Sequence, residues 1–303
     1  MYIHLTASLQ IYSGHSKTWR HHLKGAWALL CEDHESEPWL ESDFACVSTQ
    51  SLYIITIISE TTAPQGQLEW GQSTRPQDEA SYHHNIDPLG TSIISTSDFG
   101  FTIGASKTIL QCISRITKLA YYPTNDGPSS LNDLDLADIL SCLKDAEEIL
   151  ECQEELHDSC NPKTLPSGKY LAYHQLKAFV LATYIYLYRV IYHLQPQELT
   201  TYVTETFKHI SAFSKENGGN MSLWPAFIAA AEACTEEDMG LAKDWMDEAI
   251  SFGLGNRVSI KKVIEEVWRR RRVAAVELQV DQSSVGVDWR QVMHDLDLDV
   301  LLV

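Results

Sequence analysis

The residues best suited to chemistry sit in one aromatic segment, "YLAYHQLKAFVLATYIYLYRVIYHL", Tyr170 to Leu194. Tyr184, Tyr188 and Tyr192 recur every fourth position and therefore share one helical face, with Tyr173 and His174 ahead of them. Buried tyrosines beside a histidine mostly build core. They are also what a small-molecule cavity in a helical domain uses, apolar walls with a few placed polar groups. A histidine or carboxylate enclosed in such a pocket acts as acid or base without a metal. The candidate ligand-binding residues are accordingly His174, Tyr184, Tyr188 and Glu232, although nothing in the sequence places them together and no catalytic residue is assigned.

Other constellations carry less. There is no C-x-x-C, and the nearest metal-like cluster, Cys152, His157 and Cys160, lacks a fourth ligand at a sensible spacing. No metal and no cofactor are expected. "GFTIGASKT" (Gly100 to Thr108) superficially looks like a phosphate loop, but Gly104 and Lys107 are separated and no apolar strand precedes them. It reads as a helix start capped by Ser106 or Gly104. The paired histidines of "WRHH" (Trp19 to His22) and "YHHN" (Tyr82 to Asn85) point to different sides of a helix and seldom make one site. A catalytic triad is not arguable from one sequence, because its members are spatial neighbours. "WRRRR" (Trp268 to Arg272), with Lys261 and Lys262 upstream, is the one basic cluster. It suits nuclear import or nucleic acid, but cations near a helix C-terminus beside Glu265 and Glu266 are the preferred reading.

The elements that must position these residues are helices. In the first segment Leu5, Leu9 and Tyr12, then Trp19, Leu23, Ala26, Trp27 and Leu30, recur at helical spacing. Phe44 to Ser59 is rich in β-branched residues, but no partner strand is evident, so it too reads as helix. Thr61 to Ser97 carries Pro64, Pro76 and Pro88 and reads as an irregular insertion. A helix through Ile109, Ile113 and Ile116 follows, then Leu131 to His157, Tyr170 to Leu194 and Glu198 to Lys215. "SLWPAFIAAAEAC" (Ser222 to Cys234) predicts a tightly packed core helix, with Ser222 as its cap and Pro225 in its first turn. Trp224 should dock the helix entrance, and its alanines allow a neighbouring helix close. Thr235 and Asp238 mark the next helix start, which runs to "FGLGN". The expectation is an all-α fold, a single domain over 1–303 of about ten helices, with the 61–97 insertion inside it.

Composition narrows the function classes. The chain has 303 residues and a formal charge of −18, so its surface repels phosphate backbones and direct nucleic-acid binding by this chain is not expected. Seven irregularly spaced cysteines fit a reducing compartment. "MYIHLTASLQ" lacks a basic stretch and has a histidine in its apolar part, unlike a signal peptide. The uninterrupted apolar run, Ala178 to Tyr188, is 11 residues, short of a bilayer span, so no membrane partner is expected.

Three stretches together resemble one family: "TWRHHLKGAWALL" (Thr18 to Leu30), "SLWPAFIAAAEAC", and the tail "VIEEVWRRRR…DWRQVMHDLDLDVLLV". They are similar to the fungal-specific transcription factor domain, the helical regulatory region that follows a zinc binuclear cluster, in its arginine-metabolism-regulator-like branch. "KAFVLATYIYLYRVIY" resembles that family's tyrosine-rich helix with its I-Y-L-Y-R core. The resemblance implies a nuclear helical module (a cytoplasmic one is the alternative) that senses a metabolite or contacts a regulator protein or a second copy. The six-cysteine basic cluster of the family is missing, and Ala230 stands where members often have glycine. DNA binding is therefore expected to come from elsewhere. The alternative is a repurposed, cofactor-free enzyme of a metabolite biosynthetic pathway that uses the helical cavity.

Overall fold

A computed structural model describes residues 19–32, 34–63, 93, 105–121, 130–159, 167–216 and 222–303. Among them are ten α-helices and no strand: α1 (Trp19–Glu32), α2 (Asp43–Glu60), α3 (Lys107–Tyr121), α4 (Ser130–Ser159), α5 (Ser167–Val190), α6 (Thr200–Lys215), α7 (Leu223–Glu232), α8 (Glu236–Ser251), α9 (Gly255–Leu278) and α10 (Trp289–Asp295). The all-α expectation holds. Most of the 61–97 segment and the "YHHN" stretch lie outside the described residues, whereas Thr61 to Ala63 form the buried turn that closes α2.

The β-branched stretch is helical because burial outweighs propensity. Ile54, Ile57 and Ile58 are at most 2% exposed, and the hydroxyls of Thr56, Ser59 and Thr61 turn back onto carbonyls three or four residues earlier. Each polar group in the apolar interior thus has a local acceptor. Thr56 also accepts the Trp27 indole N–H at 2.6 Å, which pins α1 to α2. Ser106 caps α3 by accepting from the amide of Ile109 at 3.3 Å.

All ten residues of α7 are buried, so "LWPAFIAAAE" is apolar on every side and must be enclosed. It touches α5, α6, α8 and α9. Trp224 stacks on Phe179 of α5 at 5.8 Å and donates its indole N–H to Thr61 at 3.0 Å. Ala230, fully buried, gives its carbonyl to the Trp268 indole at 2.9 Å, which ties α9 to α7. One sequence expectation fails here. Ser222 precedes the helix but its side chain makes no cap bond, and its buried hydroxyl has no partner among the described residues; the proline in the first turn already fixes the entry. By contrast Thr235 accepts the Asp238 amide at 3.0 Å, and Asp238 in turn accepts the hydroxyls of Thr235 and Thr204.

The two sequence extremes of the described chain meet. Arg20 on α1 grips Asp299 with Nε and Nη2 at 2.8–3.0 Å, while Val300, Leu301 and Leu302 enter the core. No helix of the described residues is long and apolar enough to cross a membrane.

Candidate functional site

The longest polar story belongs to α5, which is surrounded by α3, α4, α6 and α7. Near its start His174 and His209 of α6 face each other, Nδ1 to Nδ1 at 2.8 Å, in contact with the ring of Tyr173. In that bond one ring donates and the other accepts. Burial, with the charges of His174, Lys177 and Lys208 adding, pulls His209 down to about 3, so it is neutral at ordinary pH.

Nearly three turns on, Tyr184 stacks against Tyr188 at 5.9 Å, and both pack on Tyr202 of α6. Tyr184 hydrogen-bonds Glu147 of α4, which also pairs with Lys177 at 3.7 Å. Burial and the neighbouring Glu147 carboxylate raise the Tyr184 phenol, and burial with the Tyr202 bond raises Tyr188 to about 12. These phenols are neutral donors that sew α5 to α4 and α6.

At the C-terminal end of α5 the solution is ionic. Glu232, the last residue of α7, is fully buried and receives Arg189 Nε at 2.8 Å and Arg271 Nη2 at 3.3 Å. Arg271 also donates to the carbonyls of Ala231 (2.8 Å), Ala233 (2.7 Å) and Val285 (3.1 Å). It thereby satisfies the orphan carbonyls at the end of α7 and fastens the loop before α10. Burial lowers its pKa and the Glu232 carboxylate opposes that. Arg189 donates further to the Leu194 carbonyl. That carbonyl is placed by a helix stop in which His193 is left-handed (φ 55°) and the Leu194 amide bonds Tyr188 at 3.1 Å.

Against Arg189 of this triad lies a cleft of about 280 Å³, lined also by His193, Gln195, Gly286, Asp288, Trp289 and Arg290. Asp288 caps α10 through the Arg290 amide at 2.9 Å and takes the Arg290 guanidinium in a fork, Nε and Nη2 both at 2.9 Å. Gly286 is required for closeness: a Cβ there would stand 2.5 Å from Arg189 Nη2.

The four sequence candidates fall in three places. Tyr184 and Tyr188 are together. His174 belongs to the histidine pair, and Glu232 belongs to the triad with Arg189, fifteen positions and so about 22 Å further along α5. Sequence reasoning missed Arg189, Arg271, Gly286, Asp288, Trp289 and Arg290. The "WRRRR" run divides: Arg269 and Arg270 both pair with Glu266, as the charge reading expected, while Arg271 turns inward. The helix continues to Leu278, so these are not C-terminal cations. The Glu266 carboxyl is held down to about 2 by those two guanidiniums. Among the described residues no three metal-ligating side chains come together, and the side chains of Cys152, His157 and Cys160 lie outside them.

All but one of the stretches that carried the family resemblance, Thr18 to Leu30 being the exception, converge here: Arg189 ends I-Y-L-Y-R, Glu232 ends the W-P helix, Arg271 closes V-W-x-R-R, and Asp288 to Arg290 are D-W-R. The family model described as fungal specific transcription factor domain matches residues 2–303. Arginine metabolism regulation protein II of Saccharomyces cerevisiae is 26% identical over 136 residues, covering 43% of this chain. The match spans 14% of that protein's length. No solved structure matches the chain.

Proposed function

The chain belongs to the fungal specific transcription factor domain family, and from that membership we propose that it works as a transcriptional regulatory module that senses a small metabolite. The observation that supports sensing is the cleft against Arg189, the member of the Arg189–Glu232–Arg271 triad that lines it. A ligand there bears on the end of α5, the loop after it and the loop that leads into α10 at once, so it shifts whichever packing of those elements it contacts best. DNA contact is made by another protein or segment, in keeping with a chain of net charge −18, and the module works in the nucleus.

The test is to disrupt the gene and profile transcripts and metabolites in the same cultures. The expected result is a coordinated change in one set of transcripts. Unchanged transcripts together with accumulation of a single intermediate would overturn the reading and make the chain a catalyst.

A further inference from the structure

We infer that the cleft at the end of α5 is a binding site for a small carboxylate anion, with Arg189 as its principal anchor; this names the ligand class of the sensing function proposed above and, for its biological meaning, rests on that reading. Charge is the first argument. Arg189, Arg271 and Glu232 are each at least nine-tenths buried (side-chain exposures 10%, 2% and 0%), so two cations share one anion. Arg290 and Asp288, both in the cleft wall, cancel each other. One positive charge is left over, in a protein whose net charge is −18. The carbonyls around Arg271 satisfy its hydrogen bonds but not its charge, and an unbalanced buried charge is costly unless an anion completes it.

Donors are the second. Arg189 commits Nε to Glu232 and Nη1 to Leu194, and its Nη2, on a residue of the cleft wall, has no acceptor among the described residues. Trp289, 1% exposed and also in the wall, has a buried indole N–H without a partner among the described residues. A guanidinium edge with Nη2 free, beside a wall of mixed polar groups, suits a planar acceptor of one negative charge. A phosphate dianion would exceed the charge available. The volume, about 280 Å³, gives room for a short organic acid.

Isothermal titration of the purified full chain with acetate, succinate, glutamate, citrate and inorganic phosphate, against sodium chloride at matched ionic strength, tests this. Saturable one-site binding of at least one carboxylate, in preference to phosphate, is expected. Gly286→Ala, which pushes the Arg189 fork aside, should weaken that binding by about tenfold or more. If that variant has a lowered melting midpoint without ligand, Arg189→Lys is read instead and should show the same loss. Heats that follow ionic strength alone, a preference for phosphate, or unchanged affinity in the variant that folds would overturn the inference. Transcripts that still respond to gene disruption while no carboxylate binds would remove this site and leave the regulatory reading standing. Binding without any transcript response would do the reverse.

Discussion

The two ends of α5 bury polar groups by different means. At its start, His174 and His209 share one hydrogen bond, and the tyrosines about three turns later lean on Tyr202 and Glu147. Every group there is a neutral donor or acceptor, or is paired with a charge of its own, and the space between α4, α5 and α6 is packed with rings. At the other end three charged side chains are buried in a two-to-one ratio, and a cleft adjoins them. The difference separates a polar core that holds helices together from a polar core with capacity left over. Number of polar residues does not distinguish the two; the balance of charge and the presence of space do.

That contrast can be broken most forcefully at Glu232. Glu232→Ala leaves two buried guanidiniums without their carboxylate, and a loss of about 3–5 kcal/mol is expected from urea denaturation. Arg271→Ala should fall in the same range, because it also strips the carbonyls of Ala231, Ala233 and Val285 of their donor. A loss under about 1 kcal/mol for either would mean the triad is no more than a surface pair.

The histidine end is sharpened by acid. His209 has a folded pKa near 3, below its unfolded value near 6.5, so between those limits the unfolded chain binds the extra proton. Stability therefore is fully present above the unfolded value and declines as pH falls through the window between them. About 2 kcal/mol should be gone at pH 5 from this group, and His209→Gln should make the pH slope shallower by up to one proton. Tyr184→Phe, which removes only the bond to Glu147, should cost about 1 kcal/mol. Smallest of all is Arg269→Ala: its partner Glu266 keeps Arg270, and the denaturation midpoint should not move measurably.

Arg269 and Arg271 also show what the sequence made legible and what it did not. Both stand in an unbroken arginine run, and composition treats them alike. Helical phase does not: Ile260, Ile264, Val267, Arg271 and Ala275 recur at spacings of three and four and are all buried, so Arg271 lies on the apolar stripe. The same phase puts Arg189 beneath Ala182 and Ile185, though the sequence reading took it only as the end of an apolar run. Glu232 was recoverable because a lone carboxylate in an otherwise apolar helix must find a cation. Its partner was not, since Arg189 and Arg271 come from helices 43 and 39 positions away. Gly286 and Asp288 sit in and beside a loop with no periodicity to place them. The helices themselves, down to the Thr235 cap, followed from local patterning; the cleft did not, because it is made by the end of α5, the stretch after it and a loop almost a hundred positions on that leads into α10.

The measurement that bears most directly on the contrast between the two ends is hydrogen–deuterium exchange with and without the tightest-binding carboxylate of the titration panel. Slowed exchange should be confined to residues 189–195 and 285–290, with the amides around His174 and His209 unchanged. Protection at the histidine end, or nowhere in the chain, would contradict the account.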